Sequence, residues 1–363
     1  MTMQMENLLK SIKQKGIGSM FEHSDLDSLQ QKMAITDFSP KNHQLFYTGR
    51  HAMKFVIEHI KLAQNIPTIW LPEYYCQHVT SWMKSNYSNI KVYKTSAKEN
   101  NELIDAAAFT RDGDVVIVNN FWGINACKIE KGTRNIVVVE DHSHGWLSPL
   151  CINSTADYCV ASLRKSVPAP LGGIAWKPNG EAFNEVKPDN NTALFKQIWN
   201  TVKQAQHLKS TYINATHPKE ENKQQFLSLV NQAETQMNEN FDLFQLEEEH
   251  KKVLKKYVSL NYLGPKEKNL KYLNCLIKNS LQANSPFKII SGTSASFGLI
   301  LFIENKDAML ALRSYFILHA IYPSLLWPDN KETYGYYLNI HIDFRYGKEE
   351  LDYLAEKIIN YTS

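Results

Sequence analysis

The run Tyr158-Cys-Val-Ala-Ser-Leu-Arg-Lys165 ends on a lysine, and upstream a second apolar run, Ile136-Val-Val-Val-Glu-Asp141, stops on an aspartate. Both runs read as buried strands. Together they would bring an amine and a carboxylate to one edge of a sheet. Pyridoxal 5'-phosphate needs that pair: an amine to hold its aldehyde as a Schiff base, and an anion to keep its pyridine nitrogen protonated so that the ring acts as an electron sink.

The elements around these residues suit a sheet that could hold them. Thr48-Gly49-Arg50 precedes Ala52, Met53, Phe55, Val56, Ile60 and Leu62, a helical stripe that starts at the Thr-Gly. Strand and helix then alternate, with strands at Thr68–Leu71, Ile90–Tyr93, Val115–Val118 and Ile136–Val139 and a helix at Cys76–Met83. Short, continuous β-branched runs are typical of strands covered on both faces. The expected fold is α/β, a large, mostly parallel sheet flanked by helices. After Gly173-Ile-Ala-Trp176 the chain turns polar and helical. A smaller α+β unit then follows, with strands at Phe287–Ile290, Phe297–Ile303 and Tyr337–Ile342 and helices at Asp307–His319 and Lys348–Asn360. Residues 1–40 read as a helical arm (helical spacing at Asn7–Ile17 and Leu26–Met33), 41–240 as the large domain and 241–363 as the small one.

Composition excludes several classes of function. The 363 residues carry a net charge of +3 without a basic block, so no nucleic-acid partner is expected. No stretch approaches the roughly 20 apolar residues of a membrane span, and the polar N-terminus lacks a secretory h-region. A cytoplasmic protein is expected. Cys76, Cys127, Cys151, Cys159 and Cys275 are an odd set without close pairs, which argues for reduced thiols rather than disulfides or a zinc ribbon. No Gly-x-Gly-x-x-Gly follows a strand and no Gly-x-Ser-x-Gly elbow occurs, so nicotinamide and serine-hydrolase sites are disfavoured.

In order along the chain come Thr48-Gly49-Arg50, Leu71-Pro72-Glu-Tyr-Tyr75-Cys76, Phe121-Trp122-Gly123, Glu140-Asp141-His-Ser-His144, Ser162-Leu-Arg-Lys165 and Gly172-Gly173. This series resembles the DegT/DnrJ/EryC1/StrS group of fold-type-I pyridoxal-phosphate aminotransferases over about residues 44 to 176. The resemblance implies a fold-type-I transferase working as a homodimer on a small-molecule amino donor and acceptor. It makes Lys165 the Schiff-base lysine and Asp141 the pyridinium partner, with His144 near the ring hydroxyl where relatives often carry glutamine. Thr48, Gly49, Arg50 and Ser162 would hold the phosphate, because a helix start supplies N–H donors and the hydroxyls and the cation complete the cup. Tyr75 and Phe121 are candidates for a flat aromatic cover, although motif counting puts Cys76 nearer that position. Arg345, in His341-Ile-Asp-Phe-Arg345, would clamp a substrate carboxylate.

Each residue also has a plainer reading. Lys165 and Arg345 could sit in strand-end salt bridges, and Asp141 and Thr48 could be helix caps. His142 and His144 could face one way and bind a metal, but no Cys or carboxylate cluster is evident to complete a shell, and no metal is expected. The Asn-Tyr-Arg-Met-like segment by which sugar-nucleotide aminotransferases reach a neighbouring subunit is absent. Ser291-Gly-Thr-Ser-Ala295-Ser296 resembles the mobile loop of cysteine desulfurases without its cysteine. Three functions stay distinct: transamination, another pyridoxal chemistry such as a lyase or racemase on the same lysine, and a noncatalytic assembly or regulatory role for the fold.

Overall fold

The computed structural model describes all residues except 1–2, 96, 98–102, 125–127, 185, 190–191, 241, 279–280, 282–284, 291–295, 328–331 and 362–363. Cys127 and the greater part of the Ser291–Ser296 loop lie outside the described residues. A seven-stranded sheet runs from edge to edge as Gln44–Phe46, Gly173–Trp176, Tyr158–Ser162, Val137–Asp141, Val115–Asn119, Ile69–Pro72 and Ile90–Tyr93. The last five pair in parallel, and Gly173–Trp176 is antiparallel to both of its neighbours. Val115–Asn119 is buried along its whole length, as a β-branched strand with both faces covered must be.

The expected strands appear within three residues of their sequence signals. Two boundary differences matter for the site. The strand after Ile136 runs on through Glu140 and Asp141, so the carboxylate is part of the sheet edge. The Tyr158 strand stops at Ser162 and a 3₁₀ turn, Leu163–Lys165, carries the lysine beyond it. Register then aligns the carboxyl edge, with Asn119 opposite Asp141, Asp141 opposite Val160, and Ser162 opposite Gly173. In open α/β sheets ligands bind outside this edge.

Helix Gly49–Ala63 crosses the sheet and buries Ala52, Met53, Phe55, Val56, Ile57 and Ile60 against it. Its N-terminus is fixed by Thr48, whose side chain accepts from the His51 N–H, and by two close backbone approaches. A Cβ on Gly173 would lie 2.1 Å from the Thr48 carbonyl oxygen, and one on Gly49 would lie 2.9 Å from Ser162 Cβ. The glycines let the helix start press onto the ends of the two strands beside Lys165.

Helices Ala193–Asn214 and Glu220–Glu239 pack on one another, and Ile198, Trp199, Ala233 and Met237 from them join the core of the large sheet. The second sheet is antiparallel, ordered Lys288–Ile289, Leu299–Ile303, Tyr336–Ile340, Ser324–Leu326. Helices Leu263–Lys278, Lys306–Leu318 and Lys348–Ile359 share a core with it. The N-terminal segment divides between the two units: Ile12 and Ile17 enter the small core, whereas Leu29 and Met33 enter the large one. Among the described residues, no helix is long and apolar enough to cross a membrane.

Because Gly173 faces backbone rather than a yielding side chain, Gly173→Ala is expected to lower the unfolding free energy by about 1–3 kcal/mol in urea denaturation. Gly264→Ala, whose Cβ would meet nothing nearer than Asn261 at 3.6 Å, should stay within about 0.5 kcal/mol of wild type or exceed it.

Candidate active site

Outside the carboxyl edge lies a cavity of ≈ 310 Å³ whose wall includes Lys165, Asp141, His144, Ser162, the Thr48–Arg50 helix start and Tyr75. Seven separate stretches of sequence converge there because the strand ends share one sheet edge and helix Gly49–Ala63 begins against them.

Asp141 is buried, and both its oxygens are held. Oδ1 accepts from the Ser143 N–H at 2.8 Å, and Oδ2 accepts from the Tyr75 hydroxyl. Ser143 Oγ in turn accepts from the Ser162 N–H at 2.9 Å, which ties the turn after Asp141 to the strand carrying Lys165. Burial, reinforced by the Asp141 charge, pushes the Tyr75 phenol well above its ordinary range, so Tyr75 remains a donor to this carboxylate.

Lys165 Nζ lies 3.0 Å from His144 Nε2. Burial, then the nearby Lys165 and Lys266 charges, hold His144 well below the usual imidazole range, so the ring is neutral. An ammonium can only donate, so Nε2 is the accepting nitrogen and Nδ1 carries the proton. The His144 ring is set 4.6 Å from Phe297 and 6.2 Å from Trp327, centroid to centroid.

At the helix start, Thr48 Oγ1 takes the His51 N–H, and the Gly49 and Arg50 N–H groups have no intrahelical acceptor. Arg50 donates to the Met237 carbonyl at 3.0 Å, and the neighbouring Arg164 binds Glu234 through two bonds of 2.6 and 3.1 Å. Helix Glu220–Glu239 therefore anchors both cations that flank the helix N-terminus. A concentration of positive charge and N–H donors at one helix end suits an anion.

Asn119 and Trp327 are among the wall residues absent from the sequence reading. Asn119 ends its strand opposite Asp141, is buried, and has no hydrogen-bond partner at Nδ2. The signal was an amide closing a run of β-branched residues. Trp327 arrives from the small unit with φ 56°, and no local pattern marks it.

Other expectations are corrected. Phe121 is fully buried among Tyr74, Trp122 and Trp327 and does not line the cavity. The turn after Asn119 folds it into the core behind the site. Tyr75 does reach the site, as the hydroxyl partner of Asp141. Cys76 also lines the wall, at the head of helix Gln77–Asn86. Arg345 is not placed to clamp a substrate. Its side chain is 3% exposed, and its five N–H groups go to Asp343, Glu22 and the Ser19 and Met20 carbonyls. It is the buried salt bridge of the plainer reading.

His142 and His144 also part company, because the chain leaves the strand after Asp141 and turns, with the Gly145 N–H bonded to the His142 carbonyl. His142 instead meets Glu140 and Cys159, a Cys and carboxylate cluster the sequence did not reveal. There Asn120 Nδ2 donates to His142 Nδ1 at 2.8 Å, which puts the proton on Nε2, 3.0 Å from Glu140 Oε2. A protonated Nε2 is no metal ligand, and Glu140 and Cys159 are joined through Ser154.

No protein-family model matches the chain, and no curated protein matches it. Solved structures do. A candidate sugar aminotransferase from Streptococcus pneumoniae, Spr1654, superposes in its PLP form with a TM-score of 0.50 at 12% identity, covering 99% of this chain and 95% of that one. A complex of the cystine C-S lyase C-DES with its product cysteine persulfide superposes with a TM-score of 0.51 at 10% identity, covering 100% and 90%. At such identities the likeness concerns fold alone, and the chain has the fold-type-I architecture of pyridoxal-phosphate enzymes: a large, mostly parallel sheet unit followed by a small C-terminal one.

The buried ion pair beside the site makes stability depend on acid. Burial alone would raise the Asp343 carboxyl, but Arg345 and His341 outweigh it and hold the group far below the usual carboxylate range. A depressed carboxyl stabilises the fold above its unfolded pKa of about 3.9, and that contribution fades as pH falls toward the folded value. Asp343→Asn should therefore be less stable by about 3–5 kcal/mol near neutrality. Chemical denaturation across an acid series should show a shallower loss for it than for wild type below about pH 4.

Proposed function

We propose that this chain is a pyridoxal-phosphate-dependent aminotransferase that moves an amino group from a donor such as glutamate to a keto or aldehyde acceptor, with Lys165 as the reacting amine. The observation that carries the reading is that Lys165 and Asp141 share one cavity with a helix N-terminus. The resemblance of motifs to the DegT/DnrJ/EryC1/StrS aminotransferases supports it, as do structures of the same fold, a candidate sugar aminotransferase and a C-S lyase among them.

The residues present fit the cofactor. Asn119 Nδ2 is a buried donor without a partner in the cavity wall, and Gly49 leaves room where any Cβ would crowd Ser162. When bound, pyridoxal phosphate supplies an aldehyde that condenses with amines and a ring that withdraws electrons from the bonds next to that carbon. The Gly49 and Arg50 N–H groups and the Thr48 and Ser162 hydroxyls would hold its phosphate. Thr48 Oγ1 already accepts from His51, so its own proton is free to be donated. Asp141, steadied by Tyr75 and Ser143, would face the pyridine nitrogen as an anion. Asn119 would donate to an oxygen on the ring. Lys165 would serve as the mobile base, its Nζ holding and moving the proton beside the substrate carbon. Neutral His144 accepts a hydrogen bond from Nζ and so steers the amine without competing with it for charge. We also take the working form to be a homodimer.

Purified protein supplied with pyridoxal phosphate is expected to gain an absorbance band near the visible that glutamate shifts. Borohydride reduction should leave a stable adduct that peptide mapping places on Lys165. Lys165→Ala should lose the adduct and reduce turnover by at least about three orders of magnitude. A protein that binds cofactor but releases no keto acid from any amino donor would be another pyridoxal enzyme, and one that stays colourless would overturn the reading.

A further inference from the structure

A second cavity of ≈ 350 Å³ adjoins the first and shares Arg164, Lys165 and Glu234 with it. Its far wall is the small unit, where Asn339 and His341 stand two residues apart and line the same space. Both are buried and carry a polar atom without a partner, Oδ1 of Asn339 and Nε2 of His341.

The protonation of His341 follows from what surrounds it. Nδ1 lies 3.0 Å from Asp343 Oδ2. A carboxylate can only accept, so Nδ1 carries the proton and Nε2 presents a bare lone pair. Asp343 cannot swing away, because Arg345 grips it through Nε and Nη2 and the Arg345 backbone N–H binds Oδ1 as well. The ring is wedged between Phe21, 5.3 Å away edge-on, and Phe297 at 5.1 Å. Burial, opposed by Asp343 and aided by Lys266 and Arg345, keeps the imidazole below its ordinary range and therefore neutral.

Two buried acceptors with nothing to accept from are costly unless a ligand supplies the donors. The charge nearby selects among donors. The carboxylates nearby are already committed, Asp343 to Arg345 and Glu234 to Arg164, so no free anion awaits an ammonium and a neutral O–H suits these two neutral acceptors. Arg164, the cation on the shared wall, is already committed to Glu234.

We propose that His341 is a specificity-determining residue of the substrate site: its Nε2, on the wall that Asn339 also lines, accepts a hydrogen bond from a hydroxyl group on the molecule that reacts at Lys165. Asp343 is the positioning residue that fixes the tautomer, and Arg345 fixes Asp343. The inference rests on the reading of Lys165 given above. It accounts for the His341-Ile-Asp-Phe-Arg345 segment without a substrate carboxylate at Arg345.

The test uses full-length protein loaded with pyridoxal phosphate and two matched pairs of amines, ethanolamine against propylamine and serine against alanine, with the rate of the cofactor absorbance change as readout. Wild type should prefer the hydroxylated member by at least about tenfold in one pair or both, since a site built to bond a hydroxyl rejects the analogue that lacks it. In His341→Leu the ratio should fall to about one while the absorbance of the loaded protein is unchanged. His341→Gln, which keeps an acceptor oxygen, should retain part of the preference. If His341→Leu does not fold, the ratio is read from His341→Gln and should drop by at least about threefold. A wild type indifferent to the hydroxyl in both pairs, or a preference that survives these substitutions, overturns this inference alone. Protein that takes up no cofactor overturns the reading of Lys165 and this inference with it.

Discussion

The site depends on how closely helix Gly49–Ala63 can approach the ends of the strands Tyr158–Ser162 and Gly173–Trp176. Gly173 lets the Thr48 carbonyl sit where a Cβ would otherwise be, and Gly49 lets Ser162 do the same. Remove that contact and the N–H donors of the helix start no longer face the cavity that holds Lys165 and Asp141. Parallel register supplies the other half of the constraint, since it sets Asn119 level with Asp141 and carries Ser162 two residues beyond that level on the neighbouring strand, all at one sheet edge. A rigid backbone thus positions donors, an anion and an amine before any ligand arrives, which is what catalytic precision requires.

The parts of this site legible in the sequence were those encoded locally. Val-rich runs ending in Asp141 and in Ser162-Leu-Arg-Lys165 announced their strands through β-branching, and a strand end has only one edge to reach. Thr48-Gly49 announced its helix by capping chemistry. What failed to show was side-chain direction beyond the strand ends. Phe121 and Tyr75 are both aromatics just past a strand, yet one turns into the core and the other donates to Asp141. Trp327 was invisible because it comes from the small unit, where only tertiary packing decides what reaches the cavity. Arg345 was misplaced for a related reason: its partners Ser19, Met20 and Glu22 are more than three hundred residues away in sequence.

That arginine shows how the chain termini are tied to the site. Arg345 and Lys209 both bind the Ser19–Glu22 segment, through the Ser19 and Met20 backbone, Ser19 Oγ and the Glu22 carboxylate. Burial, with the Arg345 charge beside it, brings the Lys209 amine down to about 7. Such a buried array costs desolvation that its bonds must offset, and its return is specificity of arrangement more than net stability. Here it clasps the N-terminal segment between the helix Ala193–Asn214 and the small unit, along the wall of the cavity that adjoins Lys165. The substrate side of the site is thus assembled from three distant parts of the chain, whereas the cofactor side comes almost wholly from the first half.

The most direct measurement of the central claim is a crystal structure of the protein grown with pyridoxal phosphate. The account predicts one bound molecule with its pyridine nitrogen within hydrogen-bond distance of an Asp141 oxygen, its aldehyde carbon joined to Lys165 Nζ, and its phosphate at the Gly49–Arg50 helix start. Density for the ring elsewhere, or for a ring whose nitrogen and aldehyde carbon do not meet both of those side chains, would contradict it.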